Sequence, residues 1–441
     1  MDYVIQNGQL VMNDYTLAAD LGIENGKITA VTKRGELTPE VAGQRIDAGG
    51  LHVFPGFIDV HVHLNEPGRT EWEGLETGTK ALAAGGISTF FDMPLNSNPP
   101  TTTAERVRDK RKLAAEKAQI EGYWWGALVP DNIEQLQALK DEGVIGFKAF
   151  MTPSGTADFQ HADDDTLLKG MEKIAAMDKV LAVHAESKAL IEHLTSKSIA
   201  EGRRTIRDYE RSRPIESEIE AIKRILTYAE WSGCKLHICH ISSPKVLEPI
   251  MQARAKGVDV TVETCPHYLY FSLEDFEQIG PAAKCAPPLR TSYEVDGLWE
   301  ALLADEIDIV SSDHSPAPFA LKTEAESIFE SWGGIAGAQN SLDVLLTEGY
   351  HRRGATLSQL VNWCAVNPAK RFGLYPSKGQ LGVGADADLT LIDLNKTWTL
   401  KEEDLKQRHK ETPYVNQTFA GKVEMTFSQG SIKHLADRTL V

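Results

Sequence analysis

Residues 56–63, Gly56-Phe57-Ile58-Asp59-Val60-His61-Val62-His63, decide how the rest of the chain is read. The run is apolar, opened by glycine and rich in β-branched and aromatic side chains. It predicts a strand buried on both faces, the kind found in parallel sheets. It ends on two imidazoles at i and i+2, which point to the same side of a strand. Both rings therefore aim at one point, and imidazole is a common metal ligand. Alone, His-x-His is a weak pattern, and two partly buried structural histidines are its ordinary explanation.

Seven further runs of the same character follow: Ser88–Met93, Gly122–Val129, Gly146–Met151, Val180–Glu186, Lys235–Ser242, Asp259–Tyr268 and Ile307–His314. Helical patterns lie between them, among them Thr102–Ile120, Glu216–Ser232 and Pro244–Lys256. Eight strands alternating with helices predict an α/β fold, a closed (β/α)8 barrel of the TIM type, with a doubly wound open sheet as the alternative. The chain ends read differently. Asp2–Ile5 and Gln9–Met12 flank Asn7-Gly8, a hairpin signal, and Ile23–Ile28 contains a second, Asn25-Gly26. Ala387–Leu394 alternates, and Gly421–Ile432 is strand-like with Gly430 in a turn. Neither end is long enough to bury much core alone. The expectation is one small β-sandwich domain built from residues 1–53 and 380–441, with the barrel, 54–379, inserted between them.

With 441 residues, the chain exceeds one ordinary core. Its formal net charge of -17 repels phosphate backbones, so no nucleic-acid partner is expected. The five cysteines, Cys234, Cys239, Cys265, Cys285 and Cys364, form no C-x-x-C pair, and their number is odd. A reducing cytoplasm fits them better than a secreted disulfide framework. The first residues lack the basic and apolar regions of a secretory signal. No run reaches about 18 apolar residues, so no membrane partner is expected.

Barrels of this kind carry chemistry at the C-terminal ends of their strands. Lys148, in Gly146-Phe147-Lys148-Ala149-Phe150, is costly to bury as a cation. Either it snorkels out or pairs with a carboxylate, or it is a neutral amine that takes up CO₂, giving an anionic carbamate able to bridge two metals. His184 ends the fifth strand. His237 and His240 face opposite sides by alternation, and His240, nearer the strand end, is the candidate ligand. Asp313 ends the eighth strand and is suited both to hold a metal and to accept a proton, although an aspartate opening a turn before Pro316 is common. Each residue has a bland explanation. Four histidines, one lysine and one aspartate at the ends of five strands, all in one direction, would need five coincidences.

With Pro55 before the first run, His237-Ile238-Cys239-His240, Cys265-Pro266-His267-Tyr268 and Ser312-Asp313-His314-Ser315, these segments closely resemble the cyclic amidohydrolase family over nearly the whole chain. That family includes dihydroorotases, hydantoinases (dihydropyrimidinases) and allantoinases. The resemblance implies two divalent ions, zinc first, with cobalt or manganese as alternatives. Their ligands would be His61, His63, His184, His240, Asp313 and a bridging N6-carboxylated Lys148. Asp313 would serve as general base and acid, and a metal-bridged hydroxide would attack a cyclic amide. Relatives also imply a homotetramer. Asn65 stands where dihydroorotases have an arginine for the substrate carboxylate, and asparagine cannot form that charged pair. Asn65–Gly74, Asp92–Asn96 and Ser331–Gln339 resemble the allantoinase branch, which implies hydrolysis of allantoin to allantoate in purine degradation. The alternatives are a hydantoinase acting on another cyclic ureide, and a non-catalytic scaffold. Cys285-Ala286-Pro287-Pro288 departs from the Cys-Ser-Pro-Pro of many relatives, which puts a side-chain contact at Ala286 in question. Asn96, Ser315 and Gln339 are the candidate substrate contacts, and Arg69 either binds the ureido end or braces its loop.

Overall fold

The computed structural model describes residues 1–37 and 43–436. The N-terminal strands are β1 (Tyr3–Val11), β2 (Thr16–Glu24), β3 (Lys27–Lys33), β4 (Gln44–Asp47) and β5 (His52–Pro55). The barrel strands are β6 (Phe57–Val62), β7 (Ile87–Asp92), β8 (Glu121–Ala127), β9 (Gly146–Phe150), β10 (Val180–His184), β11 (Lys235–Ile238), β12 (Val260–Thr264) and β13 (Ile309–Val310). The C-terminal strands are β14 (Leu389–Thr399), β15 (Thr418–Ser428) and β16 (Ser431–Leu435).

Strands β6 to β13 pair in chain order, all parallel. The ring closes where Val62 bridges His314, with the His63 N–H on the His314 carbonyl at 2.8 Å. The buried Asp59 carboxylate secures the same seam by accepting from the backbone N–H groups of Ser312 (3.2 Å) and His61 (3.1 Å). Inside the barrel, Ile58, Val60, Phe91, Trp125, Ala127 and Ala182 pack against Ala369 and Phe372. Phe372 lies edge-on to Phe91 and Trp125 at 5.2 Å each. Several expected strands are shorter than read, among them Lys235–Ser242, which ends at Ile238. Asp259–Tyr268 stops at Thr264, because Pro266 opens a helical turn, Pro266–Tyr270. Beyond Val310 the chain leaves the ladder to deliver Asp313.

The strands from both chain ends form one hydrogen-bonded sheet in the order β16-β15-β14-β5-β1-β2-β3, with β4 also on β1. It is antiparallel except where β1 meets β4 and β5. The expected hairpin at Asn7-Gly8 is absent. β1 runs straight through, and its register against β2 slips between Ile5 and Gly8, a bulge with Asn7 at φ 63°. Two carboxylates satisfy the irregular segment: Asp20 accepts from the Asn7 N–H (3.0 Å) and Asp47 from its side-chain amide (2.9 Å). The second signal is a true turn. Asn25 (φ 51°) and Gly26 (φ 75°) join β2 to β3 with the doubly positive φ of a two-residue hairpin. Among the described residues, no helix is long and apolar enough to cross a membrane.

One buried cation ties sheet to barrel. Lys378 Nζ lies 2.6 Å from Glu121 on β8, 2.6 Å from Asp388 and 3.1 Å from Asp386, the last two just before β14. Lys378→Met is expected to leave Glu121 and Asp388 without their cation, while Asp386 keeps Lys27 at 2.5 Å, and to cost about 3–5 kcal/mol of stability. Urea denaturation at neutral pH measures it. The deficit should shrink as pH falls, because clustered carboxylates without their cation have raised pKa values and lose their repulsion on protonation. Stability within about 0.5 kcal/mol of wild type would show the network to be dispensable.

Candidate active site

The strand ends surround a cavity of 310 Å³. His61, His63, Asn96, His184, His240, Asp313 and Ser315 line it, together with Arg213, Lys284, Ala286 and the segment Phe329–Gly334. His61 and His63 leave β6 side by side, their ring centroids 5.5 Å apart. Asp313 Oδ1 is 3.2 Å from His61 Nε2 and 3.3 Å from His63 Nε2. Ligand atoms of these three residues all lie within 4.8 Å of one another, a candidate metal-binding cluster. His240 continues the ring wall, 5.3 Å from His61 and 4.6 Å from His184, centroid to centroid.

Three of these residues have left-handed backbone, Asn96 at φ 65°, His240 at φ 36° and Asp313 at φ 44°. Such φ is uncommon without glycine and marks a locally constrained site. It is also the reason that strand alternation ends before His240. β11 stops at Ile238, and the reversed backbone brings the His240 ring to the cavity. His237, still in the ladder, is fully buried and bonded to Thr261 Oγ1 and Glu263 Oε2, both at 2.9 Å.

Carboxylates set the imidazoles. Glu263, absent from the sequence-based candidates, meets His61 Nδ1 at 2.5 Å and His237 Nε2 at 2.9 Å and accepts from the His240 N–H at 3.2 Å. Its acceptor oxygen fixes a proton on His61 Nδ1, so Nε2, which faces Asp313, is the nitrogen that would give up its proton to bind a cation. Glu186 accepts instead from His184 Nε2 at 2.7 Å, leaving Nδ1 as the free nitrogen, and is itself held by Arg213. Burial opposes charge on His61, but Glu263 and Asp313 outweigh it and push its pKa up to about 10. Burial, reinforced by His184 and Lys148, holds His240 well below the usual histidine value. His240 is thus the neutral ligand form, and its Nδ1 is buried without a partner. Burial opposes the Asp313 anion too, yet His61, His63 and His240 hold its pKa well below the carboxylate range. An orphaned imidazole nitrogen, lone pairs fixed by outer carboxylates and a stable carboxylate are a donor set that suits divalent cations.

Lys148 neither snorkels nor pairs. It is fully buried, has no ion-pair partner among the described residues, and contacts Cys239 Sγ at 2.9 Å and the Phe150 ring at 5.1 Å. Phe150 in turn stacks on His184 at 4.5 Å. Asn96 approaches His63 Nδ1 at 3.4 Å, and its side-chain oxygen is buried and unpaired. Two expected contacts lie elsewhere. Gln339 is outside the cavity because its amide is spent on the chain, donating to the Asp404 carbonyl (3.0 Å) and accepting from the Lys406 N–H (2.8 Å). Arg69 braces its loop through Asp158 (2.9 Å) and the Asn96 carbonyl (3.1 Å).

Residues 52–433 match the Amidohydrolase family. The chain is 49% identical to an allantoinase of Deinococcus radiodurans over 433 residues, covering 98% of this chain and 94% of that protein. It is 42% identical to an allantoinase of Salmonella choleraesuis, with coverage of 98% and 94%. Among solved structures, the L-hydantoinase (dihydropyrimidinase) of Arthrobacter aurescens superposes with TM-score 0.96 at 34% identity, over 100% of this chain and 97% of that one. A dihydropyrimidinase from Brevibacillus agri gives 0.90 at 29% identity, over 99% and 96%.

Proposed function

Because the chain belongs to the amidohydrolase family, we propose that it opens the hydantoin ring of allantoin by hydrolysis, yielding allantoate. The observation that carries this is the triangle of His61, His63 and Asp313 in a cavity walled by His184 and His240, in a chain 42–49% identical to allantoinases.

On this reading His61, His63 and Asp313 would hold one divalent ion and His184 and His240 a second, with Lys148, as its carbamate, completing the donor set. Zinc is the expected metal, with cobalt or manganese also suited to the donors. When bound, the ions supply Lewis acidity that acidifies water and polarises a carbonyl. The protein supplies the rest. Asp313, with 13% of its side chain exposed, is the one anion of the triangle open to the cavity. It takes the proton that water loses as its oxygen adds to the ring carbonyl carbon, and it delivers that proton to the ring nitrogen as the C–N bond breaks. Asn96 and Ser315 orient the ring.

The proposal extends to organisation. The division into 1–53 plus 380–441 and 54–379, a homotetramer and a cytoplasmic location belong to the same reading. Five buried, unpaired cysteines support the location.

A turnover panel of allantoin, hydantoin and dihydrouracil, with metal content measured on the same sample, is the test. Allantoin should be the preferred substrate, with about two ions per chain. Preference for hydantoin or dihydrouracil, with allantoin untouched, would hand the chain to the hydantoinase branch.

A further inference from the structure

Part of the cavity wall is left idle by this chemistry. Lys284 lines it and is 4% exposed, yet its ammonium has no carboxylate partner among the described residues. Two backbone carbonyls take it, Ser331 at 2.5 Å and Phe329 at 3.3 Å, and it sits 4.6 Å above the Tyr209 ring. Burial, reinforced by Arg213 and Lys322, pulls the Lys284 pKa down to about 7, and in its ammonium form, which a ligand acceptor would favour, it has three N–H donors of which these carbonyls use two. Trp332 lines the same wall, and its indole N–H is buried without a partner. The nearby cation Arg213 is neutralised by Glu186. Glu330, the acid of this segment, is exposed and forms no ion pair with Lys284. Among the described residues no side-chain acceptor bonds Lys284 or the Trp332 indole, a condition buried polar groups rarely tolerate. A ligand completes the wall by offering a carbonyl oxygen.

The inference rests on allantoin as substrate. That molecule is a five-membered ring bearing a ureido tail, and the tail's oxygen is a strong neutral acceptor. We propose that Lys284, with the indole of Trp332 in the same wall, determines specificity for the ureido substituent. The ammonium donates its remaining N–H to the ureido carbonyl while the ring lies at Asp313. Lys284 is then the residue that separates allantoin from unsubstituted hydantoin, since a site built to hydrogen-bond a substrate group discriminates against an analogue that lacks it.

Lys322 supplies the control. It is buried, bonds the Trp332 carbonyl at 3.3 Å and so braces the same segment, but it does not line the cavity. The experiment compares kcat/KM for allantoin and for hydantoin in wild type, Lys284→Met, Lys284→Gln and Lys322→Met. The allantoin-to-hydantoin ratio is expected to fall about tenfold or more in Lys284→Met, chiefly through KM for allantoin. It should fall several-fold in Lys284→Gln, which keeps a neutral donor and asks less of the fold. It should hold in Lys322→Met. A ratio unmoved in the Lys284 variants, or lowered equally in Lys322→Met, overturns the assignment while leaving allantoin as substrate. Failure of wild type to hydrolyse allantoin would remove both.

Discussion

Asp313→Asn is expected to fold normally and to lose about 10³-fold or more of kcat on allantoin, near the upper range for removing a group that both accepts and returns a proton. The carboxylate lies 3.2 and 3.3 Å from two imidazole nitrogens, and the surrounding histidines hold it anionic. Asparagine keeps the shape and one ligand oxygen but has no site for the proton. Some loss of metal should accompany the change, because an amide oxygen is the poorer ligand. The assay is therefore run on protein loaded to wild-type metal content, with thermal melting recorded alongside. Turnover near wild type in such a sample would remove Asp313 from the proton path and require another base.

Lys148→Ala should lose metal and activity together. A bare ammonium buried at the cluster would repel cations, whereas a carbamate reverses its charge and offers two oxygens. Among the described residues Lys148 forms no ion pair with a carboxylate and contacts Cys239 Sγ, so on the proposed reading carbamylation would be the change that makes the site attractive to metal. The alanine variant also leaves a lysine-shaped space beside Cys239 and Phe150. Acetate or propionate should enter it and restore part of both metal content and turnover. Full activity of unmodified Lys148 in CO₂-free, metal-replete protein would count decisively against the carbamate.

The barrel was legible because its eight strands are largely apolar runs, and several of the polar exceptions at their ends line the cavity. His61, His63, His184, His240 and Asp313 follow from position in a strand plus side-chain chemistry. Glu263 was missed although Val260-Thr261-Val262-Glu263-Thr264 shows it. A carboxylate in an apolar strand signals a buried partner, but the sequence does not say that the partners are imidazoles on neighbouring strands. Gln339, an expected substrate contact, shows the converse. Its surroundings resemble a substrate loop, while its hydrogen bonds go to residues 404 and 406, a contact between distant segments that no local pattern encodes. Asn7-Gly8 fits a turn as well as a bulge. Asp20 and Asp47, remote in sequence, make the choice.

The seam between β6 and β13 carries a consequence for biosynthesis. His61 and His63 emerge early from the ribosome, while Asp313 arrives only with the last barrel strand. A nascent chain with seven strands has two imidazoles and no anion to complete the triangle. Ring closure and assembly of the proposed cation site would thus be one event, and a captured ion would act as a rivet across the join, favouring the finished cylinder over an open one.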